Sequence, residues 1–307
     1  MQKFSKREKF ANFGVWLMIN LTKKLKKHFV KVVEVKVPII IPMYYGELLN
    51  NRYALITGGN SGIGFAIADV FLRNGANVII SGRNYEKLSN ACKKLSSIST
   101  SGGGSSIDFV LLDNENTQSV QNGFAKALKK TNNKLDILVN NAGVSSGDFS
   151  NLNEKEFDTT LNINLKSVYF LSSLFATHIK TELHNISKAN ILNIASSSSL
   201  RPATSPYMLS KWGIRGLTLG LAKSLIPYNI VVNALAPGPT VTPMLVPHTQ
   251  ETIDLPNNPI KRFVTPQEIA NLAVVLVSDM SRTIVGDCVY MSGGAGLITF
   301  DDVDYGF

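Results

Sequence analysis

The chain has 307 residues, 44% hydrophobic and 17% charged, which is enough apolar material for one large domain or two small ones and excludes a chain that is disordered throughout. Its net charge of +9 is crowded into one end: residues 1–36 carry ten Lys or Arg against Glu8 and Glu34, leaving about +1 for everything after, so a basic nucleic-acid-binding face on the folded part is not expected. Two distant cysteines (Cys92, Cys288) and four histidines without ligand spacing (His28, His178, His184, His248) exclude a disulfide framework, fit a reducing, cytoplasmic setting and give no reason to expect a bound metal.

The basic stretch comes first. Its apolar centre, residues 10–21, is about a dozen residues long, short of the roughly 20 that span a bilayer. "TKKLKK" follows where a signal peptide would need a small-residue cleavage site. Phe10, Phe13, Leu17, Leu21 and Leu25 fall at helical spacing among lysines, a pattern that suits a helix lying on an anionic membrane surface and equally a basic helix covering its own domain or a neighbouring subunit. Residues 1–48 are therefore read as a basic amphipathic arm and residues 49–307 as the folded domain.

Beyond Pro42 short apolar runs alternate with longer amphipathic segments. The runs are "YALIT", "NVIIS", "IDFVLL", "LDILV", "NILNIA", "IVVNALA" and "DCVYM". Helical spacing begins near Ser61, Tyr85, Thr117, Glu154, Pro206 and Gln267. Seven strands and six helices in one alternating series predict a doubly wound parallel α/β sheet. "SSISTSGGGSS", residues 96–106, reads as a surface loop. The longer irregular section at residues 239–259 has the length of a lid, with Met244, Leu245 and Val246 making it apolar.

"YALITGGNSGIGFA" places Gly58, Gly62 and Gly64 between the first strand and a helix, where free N–H groups and the helix dipole favour an anion. The spacing differs from G-x-G-x-x-G and is weak by itself. After the second strand, "SGRN" offers Gly82 where an acid would accept a ribose 2′-OH and Arg83 where a 2′-phosphate would want a cation. This favours NADP(H), with NAD(H) the alternative. "SPYMLSKWG" puts Tyr207 and Lys211 four apart on one helical face, and "NILNIA" delivers the serine cluster 196–199 to the carboxyl edge of the sheet.

With these signals in order, residues 49–294 resemble the single-domain branch of the short-chain dehydrogenase/reductase family: "TGGNSGIG", Asp113 after the third strand, "NNAG" at 140–143, "NINLKS" with Asn164, the serine strand, Tyr207 with Lys211, and "PGPTVTPM" from Pro237. The resemblance implies a Rossmann fold and an oxidoreductase acting on a carbonyl or secondary alcohol. Tyr207 would be the acid/base, its phenol lowered from a pKa of about 10 by Lys211 and by the cofactor's charge. A serine would orient the substrate oxygen, and Asn164 would hold a water beside Lys211. Around the cofactor the family pattern falls on Gly58, Asn60, Ser61, Gly62, Ile63 and Gly64 in the turn, then Arg83, Asp113, Asn141, Ala142, Gly143, Pro237, Gly238 and Thr242, together with Tyr207 and Lys211. The family usually has twelve residues between serine and tyrosine and this chain has ten. Ser196 is chosen on that count, with Ser197 and Ser198 open as alternatives. "SGG" at Ser292 replaces the usual "DGG". Homo-oligomers through the helices near Asn164 and Tyr207 are implied by resemblance alone. The rival reading is a nucleotide-binding scaffold that has lost turnover.

Overall fold

The computed structural model describes residues 46–99, 105–147, 149–183, 186, 188–244 and 253–299. The basic arm before residue 46 and residues 245–252 of the lid section lie outside them. Seven strands, β1 (Tyr53–Thr57), β2 (Asn77–Gly82), β3 (Ile107–Leu111), β4 (Ile137–Asn140), β5 (Ala189–Ile194), β6 (Ile230–Pro237) and β7 (Cys288–Met291), form one parallel sheet in the order β3-β2-β1-β4-β5-β6-β7. The order reverses between β1 and β4, the switch point at which such sheets leave a crevice at their carboxyl edge. β4, β5 and β6 are buried on both faces, which is why their sequences read as near-continuous apolar runs.

Helices α1 (Gly62–Arg73), α2 (Tyr85–Ser99) and α7 (Pro266–Val277) cover one face, where Ala54 and Ile56 of β1 meet Ile67, Phe71, Leu88 and Ile269. Leu55 points the other way, into a core shared with α3 (Thr117–Lys130), α5 (Ser167–Glu182) and α6 (Pro206–Leu225). The period of two along β1 thus divides its side chains between two helix layers. Leu48 and Leu49 pack into the first of these cores.

Two segments depart from the sequence reading. α2 runs on to Ser99, through serines expected in the loop. The helix beginning at Glu154 divides into α4 (Glu154–Leu161) and α5 through a π turn at Asn162–Lys166. Such single π turns cluster at functional sites, because the extra residue re-aims a side chain without ending the helix.

Candidate active site

The glycine turn is built for close approach. Gly58 and Gly62 hold φ of +64° and +56°, a region L residues with a Cβ rarely enter. A Cβ on Gly64 would lie 2.4 Å from Asn141 Nδ2 and 2.5 Å from the Gly58 carbonyl oxygen, so α1 meets the sheet only as glycine. Thr57, at the end of β1, fixes the opposite wall: its hydroxyl accepts the N–H groups of Asn141 (2.9 Å) and Ala142 (3.0 Å). The Asn141 amide returns a hydrogen bond to the Thr57 carbonyl (2.8 Å).

Ser61 stands at the N-cap of α1 without a side-chain capping bond, whereas α3, α4, α6 and α7 are capped by Asn116, Asn153, Ser205 and Thr265. The first N–H groups of α1 therefore face the crevice ready for an anion. At the end of β2, Gly82 and Arg83 line the opening, with Asn60 Oδ1 3.1 Å from where a Cβ on Gly82 would lie. Asp113 accepts Glu115 N–H through Oδ1, and Asn116, not Asp113, caps the following helix.

These elements enclose a cleft of about 370 Å³. Of the residues the sequence pointed to, Gly58, Asn60, Ser61, Gly62, Ile63, Arg83, Asp113, Asn141, Ala142, Gly143, Tyr207, Lys211 and Thr242 line it. Gly64, Asn164, Ser196, Pro237 and Gly238 do not. Gly64 packs beneath the turn. Gly238 donates to the Met291 carbonyl and sits so close to Ser292 that a Cβ would lie 2.7 Å from its Cα, so Pro237 and Gly238 hold the β6–β7 edge behind Thr242. Leu112, Asn114, Val144, Ile163, Pro243 and Met244 also line the cleft, and no sequence motif marked Leu112, Asn114 or Val144.

At the far end of the cleft, Ser205 caps α6 by accepting Met208 N–H (3.3 Å), and Ser146 accepts Tyr207 N–H (3.2 Å). Lys211 is 5% exposed. Its Nζ lies 5.6 Å from the Tyr207 ring centre and donates to the Ile194 carbonyl at 2.8 Å. Ser196, 7% exposed, accepts Ser198 N–H at 3.1 Å, and its side chain acts on the Tyr207 phenol in the direction that lowers its pKa. Ser199 turns instead to Tyr290, 3.2 Å away. Among the serines the structure therefore pairs Ser196 with the tyrosine. A 3-10 turn at Ser197–Leu200 takes up the shortened connection.

Burial pushes the Tyr207 phenol above its ordinary value, opposed only by the Ser196 hydrogen bond; Lys211 does not by itself depress it. Burial also pulls Lys211 down, to about 8. At neutral pH the pair is a neutral phenol beside an ammonium whose charge is sparingly solvated. Asn164 is committed as well: its Oδ1 accepts Val144 N–H (2.9 Å), and its Nδ2 donates to the Val144 carbonyl (2.9 Å) and Ser210 Oγ (3.3 Å).

A family model described as short chain dehydrogenase matches residues 52–252. The chain belongs to the short-chain dehydrogenase/reductase family. A 3alpha-hydroxysteroid dehydrogenase of Mediterraneibacter gnavus is 33% identical over 253 residues, 81% of this chain and 98% of its own. A 3-oxoacyl-[acyl-carrier-protein] reductase of Chlamydia muridarum is 34% identical with the same coverage. Solved structures agree in fold: a Burkholderia cenocepacia short chain dehydrogenase in complex with NADP (29% identical, TM-score 0.70) and a Brucella melitensis 3-ketoacyl-(acyl-carrier-protein) reductase complexed with NADH (29%, 0.71) each cover 80% of this chain and 98% of their own. This short-chain dehydrogenase/reductase is thus an oxidoreductase of a family that uses nicotinamide cofactors. The crevice fits such a group by its own features, namely the uncapped α1 terminus, the glycine-rich turn and a floor that ends at Tyr207. Among the described residues, no helix is long and apolar enough to cross a membrane.

Proposed function

We propose that the chain is an NADP(H)-dependent oxidoreductase acting on a carbonyl or secondary alcohol, with Ser196, Tyr207 and Lys211 handling the reacting oxygen and its proton. The observation that carries this reading is Tyr207 and Lys211 together lining one end of a cleft whose opposite end is the glycine turn. Bound there, the nicotinamide supplies or accepts the hydride. The protein's share is alignment and charge.

Ser196 Oγ holds and polarises the substrate oxygen. In reduction Tyr207 passes its proton to that oxygen as negative charge develops there, and burial keeps the phenol in the protonated form this requires. The Lys211 ammonium, anchored on the Ile194 carbonyl, offsets the charge left on the phenol. In oxidation the same groups work in reverse. Asn164 braces the Val144 loop against α6 through Ser210. Arg83 is assigned to the 2′-phosphate, supported by its place in the cleft lining beside Gly82, where no acidic side chain stands. The named relatives act on a steroid alcohol and a 3-oxoacyl group, which suggests a ketone–alcohol pair on a larger apolar skeleton; exposed Met244 on the cleft wall suits one. Exposed Tyr169 and Phe170 on α5 and Leu209, Trp212 and Leu219 on α6 are the face assigned to a second copy of the chain.

The test is Tyr207→Phe assayed by NADPH oxidation against ketones, aldehydes and acyl thioesters. Turnover falls by about 10²–10⁴-fold while NADPH titration by fluorescence stays near wild type. Retained turnover on any compound the wild type reduces would reassign the acid/base.

A further inference from the structure

Two turns below the reacting groups lies a second set of polar side chains that the chemistry above does not use. Asn140 ends β4 and pairs in register with Asn193 of β5. Asn140 Nδ2 donates to Asn193 Oδ1 (2.9 Å) and to Ser172 Oγ of α5 (3.2 Å). Asn193 Nδ2 donates to Thr218 Oγ1 of α6 (2.9 Å), and that hydroxyl donates to the Ile214 carbonyl (2.8 Å). None of the four side chains is more than 3% exposed. The chain of bonds runs from one helix through two central strands to the other.

Apolar side chains would fill this space with no desolvation cost, so stability alone does not explain four polar ones. Their positions do. Thr218 is seven residues, about two turns, beyond Lys211 and lies on the same face of α6. Ser172 is eight residues beyond Asn164, which in a plain α-helix would carry it about 80° too far. The π turn at Asn162–Lys166 takes up the surplus residue. The next residue after Asn193 is Ile194, whose carbonyl receives Lys211 Nζ. One strand thus holds α6 at two points two turns apart, through a main-chain oxygen and a side-chain amide. Directional bonds at both points fix how far α6 has slid and rotated along the sheet, which apolar contact leaves looser.

We infer that Asn193 and Thr218 are positioning residues: their hydrogen bond sets the axial place of α6, so that Lys211 reaches the Ile194 carbonyl and the Tyr207 phenol reaches Ser196. This rests on the reading that Tyr207 and Lys211 perform the proton chemistry. The Tyr207→Phe assay tests that reading separately.

The experiment compares Thr218→Val, nearly the same shape without the hydroxyl, with Thr218→Ser, which keeps it. The readouts are Tm, the NADPH Kd by fluorescence, and kcat, KM and the pH profile of kcat on whichever panel compound the wild type reduces fastest. Expected for Thr218→Val are an NADPH Kd within about twofold, a kcat lower by about 10–100-fold as for an ångström-scale misplacement, and a displaced pH profile; Thr218→Ser restores kcat and profile. In Asn193→Leu/Thr218→Val, which removes both partners of that bond and also the acceptor of Asn140 Nδ2, kcat stays low. The proposal is overturned if Thr218→Val lowers Tm but leaves kcat and its pH profile unchanged, or if the double variant recovers kcat. Should the double variant not fold, the Val and Ser single variants decide the matter between them.

Discussion

The two edges of the sheet handle buried charge in opposite ways. At the amino edge Arg52, Asp136 and Lys188 each stand immediately before a strand. The Arg52 guanidinium pairs with Asp136 and donates to Asn190 Oδ1 at 3.0 Å, and Asp136 accepts Tyr53 N–H at 2.8 Å. Lys188 donates to the Ser278 carbonyl with the Asp279 carboxylate 3.9 Å away. At the carboxyl edge Lys211 is as deeply buried, but its ammonium donates to a main-chain oxygen, and burial pulls its pKa down.

Burial lowers Lys188 and Lys211 alike to about 8, so a perturbed lysine does not by itself mark a reacting group. The partners distinguish them. Lys188 has an acid beside it and the cations Arg52 and Arg282 around it, whereas Lys211 faces a phenol and a cleft.

Breaking the amino-edge pair should have the largest effect on stability and little on chemistry. Asp136→Ala leaves a largely buried guanidinium without its counter-charge and should cost about 3–5 kcal/mol of unfolding free energy in urea titrations. The NADPH Kd should hardly move, since the pair lies at the edge away from the crevice.

Lys211→Met reverses that pattern, with turnover lost and stability gained. The wild-type amine has a folded pKa of about 8 against about 10.5 unfolded, so the unfolded chain binds more protons between those values. The penalty is present in full below about pH 8 and is relieved as pH rises toward 10.5. Lys211→Met should therefore be more stable than wild type at pH 7 by on the order of 2 kcal/mol, a margin that narrows toward pH 10 in thermal melts. Lys188→Met should show the same sign of pH dependence but a smaller gain, because it also forfeits Ser278 and Asp279. Equal gains would remove the distinction between the two lysines.

The smallest effect expected is on coenzyme choice. Arg83→Asp should weaken NADP(H) relative to NAD(H) by about 1–2 kcal/mol, roughly 5–30-fold in the ratio of kcat/KM values. An unchanged ratio would free Arg83 from the 2′-phosphate.

The sheet was legible because its strands are short apolar runs punctuated by glycine and helix starts, a pattern imposed by burying both faces of a parallel sheet. The glycine turn and the Tyr207–Lys211 pair were legible for a related reason: their spacing is local and their residue types are demanded by backbone shape and by chemistry. Hidden were relations between residues far apart in the chain. Spacing to Tyr207 pointed to Ser196 but left Ser197 and Ser198 open, because how a chain leaves β5 depends on what packs against it. Nothing local announced the π turn under Asn164, the role of Thr57 in holding Asn141 and Ala142, or the bond from Asn193 to Thr218.

The order of residues alone determined the α/β class, the crevice-forming turn and the residue types at the reacting end, because hydrophobic period and backbone strain are properties of neighbours in sequence. Tertiary structure alone decided how deeply the phenol and its neighbouring ammonium are buried, and that a second lysine, Lys188, is buried as far with an acid beside it instead of a cleft. Burial, charge and hydrogen-bond direction depend on what other strands and helices bring alongside, and no stretch of one segment contains that information.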